Sequence, residues 1–281
     1  MFTIISLIGR IFSNSIANLY QKKASVLSSP IMTNLSSYFF MSVMCIVPAL
    51  FIDWTQFSLD FWINVIIAGL LCTIGTIALI EALRIGELSV LAPINSYKSV
   101  VGLFGAFILL GEIPCVKDLL CVIFIIIGSL FVLEPSNGKF SLKVFLRRDV
   151  RLRIFALLCS GIEASFLKKI ILLSSFDVCL ILWCFSGFIC TFVIFLIKKE
   201  KFIVAKENIS NCLIIAVMLL VMQLTTNYVF SKIEVGVALA LFQLSSLVSL
   251  YFGYKVFNEK NIVRKIVGTI IMITSAILIF V

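Results

Sequence analysis

The chain has 281 residues, of which 62% are hydrophobic and 13% charged, with a formal net charge of +9 and no His. A soluble domain holds roughly half apolar and a quarter charged residues, so water is not the main solvent of this fold. The basic balance does not point to nucleic acid, because nearly every Lys and Arg lies between apolar runs, where cationic loop anchors belong.

A bilayer core about 30 Å thick takes roughly 20 apolar residues per helix, and about ten such runs fill most of the chain. In order they are Phe2 to Leu19, Pro30 to Ile52, Phe61 to Leu83, Ser89 to Leu110, Cys115 to Leu133, Ile154 to Leu173, Val178 to Ile197, Cys212 to Phe230, Val235 to Phe257 and Ile262 to Val281. The first run lacks a basic n-region and a small-residue cleavage site, and Arg10 interrupts it, so it reads as a retained span rather than a signal peptide. The polar segment from Glu134 to Arg153, with Pro135, Asn137 and Gly138 beside a basic cluster, divides the spans into two groups of five. The expected architecture is all-α: a polytopic membrane protein with residues 1–134 as a first five-helix repeat, 135–152 as a basic connecting loop and 153–281 as a second repeat.

The expected partners are the lipid bilayer and a small-molecule substrate. The same reading expects a monomer or homodimer in the bacterial cytoplasmic (inner) membrane. Nine Cys without a CxxC pair or any His disfavour zinc, haem and the usual Ser-His or Cys-His catalysis, so neither cofactor nor enzymatic activity is expected. Cys179 and Cys184 sit inside an apolar run, where free thiols behave as small hydrophobes. No GxxxxGK[ST] loop is present, which argues against ATP-driven transport by this chain alone.

An internal repeat is visible. Gly86 to Glu112, GELSVLAPINSYKSVVGLFGAFILLGE, aligns without a gap on Ile233 to Glu259, IEVGVALALFQLSSLVSLYFGYKVFNE, matching Glu87 with Glu234 and Glu112 with Glu259. Near the half starts, Lys22-Lys23 before Leu27-Ser28-Ser29 parallels Lys168-Lys169 before Leu173-Ser174-Ser175. An odd number of spans per half makes the second half enter the membrane from the opposite side, so the repeat is inverted. Such repeats place a binding site near the midplane, between the halves.

With this doubling the chain resembles the EamA-type branch of the drug/metabolite transporter superfamily. In each half a first helix ends in Lys, a turn precedes the fourth helix, and a later helix ends in Glu (Leu109-Leu110-Gly111-Glu112 and Val256-Phe257-Asn258-Glu259). The final span of each half carries a small residue, Gly128 or Ser275. The second half departs in having Asn258 for Gly and no counterpart of Pro93. The resemblance implies secondary transport. Members of that superfamily move amino acids, nucleosides, sugars, choline-like cations, nucleotide-linked sugars and drugs, so it leaves the substrate open.

Charges inside spans are costly and mark the candidate substrate-binding residues. Lys98 lies mid-way along the fourth span with Asn95 on its face; it is either a substrate or counter-ion contact or a structural pair. Glu163, the one carboxylate central to the sixth span, is the candidate proton carrier, or half of a permanent ion pair. Arg10, with Asn14 one turn on, is a third mid-span charge that snorkelling to the interface would equally explain. Glu81, near the end of the third span, has Arg84 within reach as a local partner. Gln223, Thr225, Thr226 and Asn227 make the eighth span polar, and Gln243 adds an amide in the ninth; such groups either line a hydrated cavity or bond across helices.

Gly102 and Ala106 repeat Ser249 and Gly253, a small-xxx-small spacing that reads as helix packing. Trp54, Trp62 and Trp183 read as interface anchors. A lipid-handling flippase, or a subunit assisting one, is the alternative within this fold, and an intramembrane enzyme is disfavoured for want of a cluster of acids or ligands at one depth. About 17 Lys and Arg fall on one side of the membrane against about 4 on the other (Lys117, Lys168, Lys169, Lys232), which makes the Glu134 to Arg153 loop cytoplasmic and puts both termini outside.

Overall fold

A computed structural model describes residues 2–98, 100–101, 116–132, 145–200 and 206–278. Gly102, Ala106, Glu112 and most of the polar segment that begins at Glu134 lie outside them. Every regular element among the described residues is helical: α1 Phe2–Leu27, α2 Pro30–Ala49, α3 Leu59–Ile85, α4 Leu88–Leu91, α5 Val116–Val132, α6 Arg148–Leu173, α7 Phe176–Lys198, α8 Lys206–Lys232, α9 Val235–Phe242, α10 Ser245–Phe257 and α11 Ile262–Leu278.

Local chemistry starts these helices where the apolar runs begin. Ser29 caps α2 by accepting from the Met32 amide, with Pro30 at the first helical position. Ser58 and Ser175 cap α3 and α7 through the amides of Phe61 and Val178. Each hydroxyl satisfies an amide that the helix start leaves without a backbone partner. Asn258 ends α10 with φ 52°, a left-handed conformation that Asn tolerates best after Gly. That is why Asn258 can stand where the first half has Gly111 in sequence.

Six stretches among the described residues are long and apolar enough to cross a membrane: α1, α2, α3, α7, Asn208–Lys232 of α8, and Val235–Phe257. They fall on the first, second, third, seventh, eighth and ninth of the ten expected spans, and the fourth from Gly102 onward lies outside the described residues. α6 has the length, at 26 residues, but Arg148, Arg151, Arg153, Glu163, Lys168 and Lys169 interrupt its apolar character. The described parts of α5 and α11 reach 17 residues each. α1 runs to Leu27, well beyond the Leu19 expected from hydropathy: Gln21 and Ser25 are buried, and Lys22 donates to the Gly86 carbonyl and Glu259 rather than to water.

The largest helix contacts are α1 with α8 and α3 with α6, followed by α5 with α11 and α2 with α7. Exchanging the first five spans with the last five carries the α1–α8 contact onto the α6–α3 contact and leaves the other two unchanged. Glycines permit the closest approaches. A Cβ on Gly268 would stand 2.5 Å from the Gly128 carbonyl oxygen, and one on Gly128 would stand 2.8 Å from that of Gly268.

The fourth and ninth spans are both interrupted. After α4 the chain tightens into a 3-10 turn over Pro93–Ser96, and between α9 and α10 it breaks at Gln243 and Leu244. In the register of the repeat, Ser96 falls on Gln243. Irregular backbone at membrane depth must find partners inside the protein, and here a neighbouring first helix supplies them. In the first half Arg153 of α6 donates to the Leu91 carbonyl at 3.0 Å, which the local turn leaves without its Asn95 amide partner, and to Asn95 Oδ1 at 2.7 Å. In the second, Asn14 and Ser15 of α1 donate to Ser245 Oγ at 3.1 Å and Ser245 O at 2.7 Å.

Candidate functional site

A cavity of about 130 Å³ lies between α1, α3, α6 and α8, closed by the two interrupted spans and by α2 and α7. Its walls follow helix periodicity. From α1 come Arg10, Asn14, Asn18 and Gln21, three or four residues apart and so on one face; from α6 come Arg153, Ser160 and Glu163 at the same kind of spacing. From α3 and α8 come Cys72, Gly75, Thr76 and Leu79, and Leu219, Met222, Gln223 and Thr226.

These wall positions correspond between the halves. In the register that aligns Gly86 with Ile233, the four α3 residues fall on the four α8 residues in order. In the register that aligns Lys22 with Lys168, Arg10, Asn14, Asn18 and Gln21 fall on Ala156, Ser160, Ala164 and Leu167, all four of them in the wall.

Of the residues expected to bind substrate, Lys98, Glu163, Asn95, Asn14, Arg10 and Gln223 line this one cavity. Glu163 is 7% exposed and accepts from the Trp183 indole N–H at 2.9 Å. The Trp183 ring packs on Tyr38 with centroids 5.1 Å apart, and the Tyr38 hydroxyl lies 2.8 Å from Cys72 Sγ. Arg10 is 8% exposed, its guanidinium 4.7 Å from the Phe242 ring centroid, and its Nε and Nη1 have no hydrogen-bond partner. Lys98 lies within electrostatic reach of Arg153, Arg10 and Glu163.

Three of the expected residues lie elsewhere. Glu81 pairs with Arg84 at 2.9 Å and Arg148 at 3.0 Å where α3 meets the start of α6. Asn227 takes a hydrogen bond from Gln223 and gives one to the Phe176 carbonyl. Gln243 donates to the Leu239 carbonyl beside the break in the ninth span, at 2.6 Å.

Sequence reasoning missed Arg153, counted there as a loop charge, and Trp183, read there as an interface anchor. Arg153 is 7% exposed in the wall, and Trp183 is buried at 6%. The available signal for Arg153 was its place one residue before the expected sixth span, where extending the helix by a single residue includes it.

Residues 1–134 match the sequence model of the EamA-like transporter family, in agreement with the resemblance over that half of the chain. No curated protein matches the chain. A solved structure described only as a crystal structure of a protein superposes with a TM-score of 0.72 over 98% of this chain and 95% of that one, at 10% identity, and so shares the fold. That match and the six apolar stretches together support an integral membrane protein.

Proposed function

We propose that this EamA-like transporter moves a small polar or amphiphilic metabolite by alternating access, with the substrate held in the central cavity. One observation carries the reading: the cavity wall is built from corresponding positions of two sequence-related halves, as a site on a repeat interface requires. The exchange of helix contacts between halves and the paired breaks in the fourth and ninth spans support two inverted five-helix repeats, 1–134 and 153–281, joined by 135–152. Rocking one half against the other then exposes the same wall to each side in turn. We place the chain in a bacterial cytoplasmic membrane with the basic loop inside, on the strength of the charge count.

Glu163 is the only carboxylate in the described wall and serves as the proton carrier in this scheme. Proton binding and release there change its attraction to Lys98, and a charge that differs between two states biases their populations. A thermal-shift screen against metabolites supplies the ligand, because whatever binds the folded state raises its melting point. Uptake of that ligand into proteoliposomes is expected to be abolished in Lys98→Met and in Glu163→Gln, with insertion and size-exclusion profile unchanged. Glu163→Gln is also expected to flatten the pH dependence of any residual flux. Normal transport by either variant removes that residue from the site.

A further inference from the structure

We infer that the cavity takes a small soluble organic anion, whose carboxylate or phosphate is set against Arg10, Lys98 and Arg153. The inference rests on the transport reading above and adds the substrate class.

Charge comes first. The wall holds three basic side chains and one carboxylate, Glu163, a formal excess of two positive charges among the described residues. Buried charges of one sign are unfavourable until a counter-charge joins them. Hydrogen bonding divides the three cations. Arg153 commits Nε and Nη2 to the Leu91 carbonyl and Asn95 Oδ1, neutral acceptors that orient its guanidinium without cancelling its charge. Arg10 is more than nine-tenths buried, faces the cavity, and leaves Nε and Nη1 unmatched against an aromatic ring. A buried guanidinium with unmet donors is a preformed partner for a planar or tetrahedral oxyanion, which it grips more strongly than any neutral acceptor.

The wall also discriminates among charged ligands. A zwitterion needs a carboxylate to receive its ammonium group. The single candidate, Glu163, already accepts from the Trp183 indole and faces Lys98's field, so it offers poor purchase for a second cation. Cations meet three like charges. Size narrows the class again, since a cavity of about 130 Å³ is well below the roughly 300 Å³ at which drug-sized pockets begin. Asn18, with what Asn14 and Gln223 retain beside their bonds to Ser245 and Asn227, supplies amides for hydroxyl or carbonyl groups on a short ligand.

The test uses the full chain in neutral phosphatidylcholine vesicles. Binding is read by thermal shift and transport by counterflow, with succinate, lactate and glycerol 3-phosphate as anions, lactamide and glycerol as neutral analogues, L-alanine as zwitterion and choline as cation. The anions are expected to bind and exchange, and lactamide to bind at least about tenfold more weakly than lactate. Arg10→Gln is expected to weaken anion binding by about tenfold or more, and Arg10→Lys to retain the preference for anions while losing part of the affinity. Because Gln at position 10 risks the fold, Arg10→Lys alone keeps the inference testable: equal binding of anions and neutral analogues by the parent and by this variant overturns it.

Counterflow of lactamide, L-alanine or choline without the anions overturns the substrate class and leaves transport standing. If no probe of any charge binds or moves, the transport reading falls and takes the inference with it. Phosphatidylglycerol added to the vesicles separates the sources of phosphate: loss of succinate binding would assign the cations to a lipid headgroup and overturn the soluble anion.

Discussion

Glu259 ties one end of the molecule together, and removing its charge is expected to be the costliest single-atom change outside the cavity. Its carboxylate accepts from the Leu88 and Ser89 amides at 2.8 Å each, at the start of α4, and from Lys22 Nζ at 3.0 Å; the side chain is 5% exposed. Lys22 also donates to the Gly86 carbonyl at the end of α3, and Gly253 leaves the space that the carboxylate fills. Glu259→Gln keeps one acceptor oxygen but aims an NH2 at the second amide and strips Lys22 of its counter-charge. Hydrogen bonds to a charged group contribute about 1.5 to 3 kcal/mol each, so losing one outright and weakening two costs roughly 3 kcal/mol.

The pH dependence has a definite sign. Burial raises the Glu259 carboxyl, but the Ser89 hydrogen bonds and the Lys22 charge outweigh it and hold the group below its ordinary value of 4.5. A carboxyl depressed in the folded state contributes fully above its unfolded value and loses that contribution as pH falls through the folded one. Unfolding in mixed SDS micelles, followed by Trp fluorescence, is therefore expected to separate parent from Glu259→Gln by roughly 3 kcal/mol near neutral pH, a gap that closes as pH falls through the depressed folded-state value. A variant within about 0.5 kcal/mol of the parent near neutral pH, or a gap that persists in acid, refutes the reasoning.

Gly268→Ala forces a methyl to within 2.5 Å of the Gly128 carbonyl oxygen and is expected to cost about 1 to 3 kcal/mol in the same assay; a neutral result means that α5 and α11 separate without cost. The charge count puts both termini outside, so a C-terminal reporter that fluoresces only in the cytoplasm is expected to stay dark. The burial of Arg153 removes one charge from the counted loop and leaves the asymmetry large.

Composition and apolar runs made the membrane class legible, because contact with lipid demands a long apolar stretch, which six segments carry in full. Helix ends were less so. Polar residues such as Gln21 and Lys22 look like loop in a hydropathy window, yet they continue α1, Lys22 with protein partners in place of water. Lys98, Glu163 and Arg10 were legible as charges at membrane depth, and Arg153 was not, since it sits at the edge of an apolar run among residues that are loop anchors. The break in the ninth span was also hidden: without a proline, Val235 to Phe257 reads as one helix, and only tertiary hydrogen bonds from Asn14 and Ser15 show where it parts.

The two halves share a scaffold and divide the chemistry. Lys22 donates to the Gly86 carbonyl at the end of α3, and its counterpart Lys168 donates to the Phe230 carbonyl near the end of α8, so each half closes its third helix with the Lys of its first. Glu87 and Glu234 stand at the N-cap positions of α4 and α9 in the same extended conformation. At the cavity the correspondence of position persists while that of charge ends. Arg10 falls on Ala156, Arg153 on Leu7, Glu163 on Ala17 and Lys98 on Ser245. Structural duties that both sides of the membrane impose equally are met by matched residues, whereas a single substrate has no two-fold axis, and groups that grip it need appear only once. The unmatched charges are the groups the proposed substrate would use, and three of the four are cations.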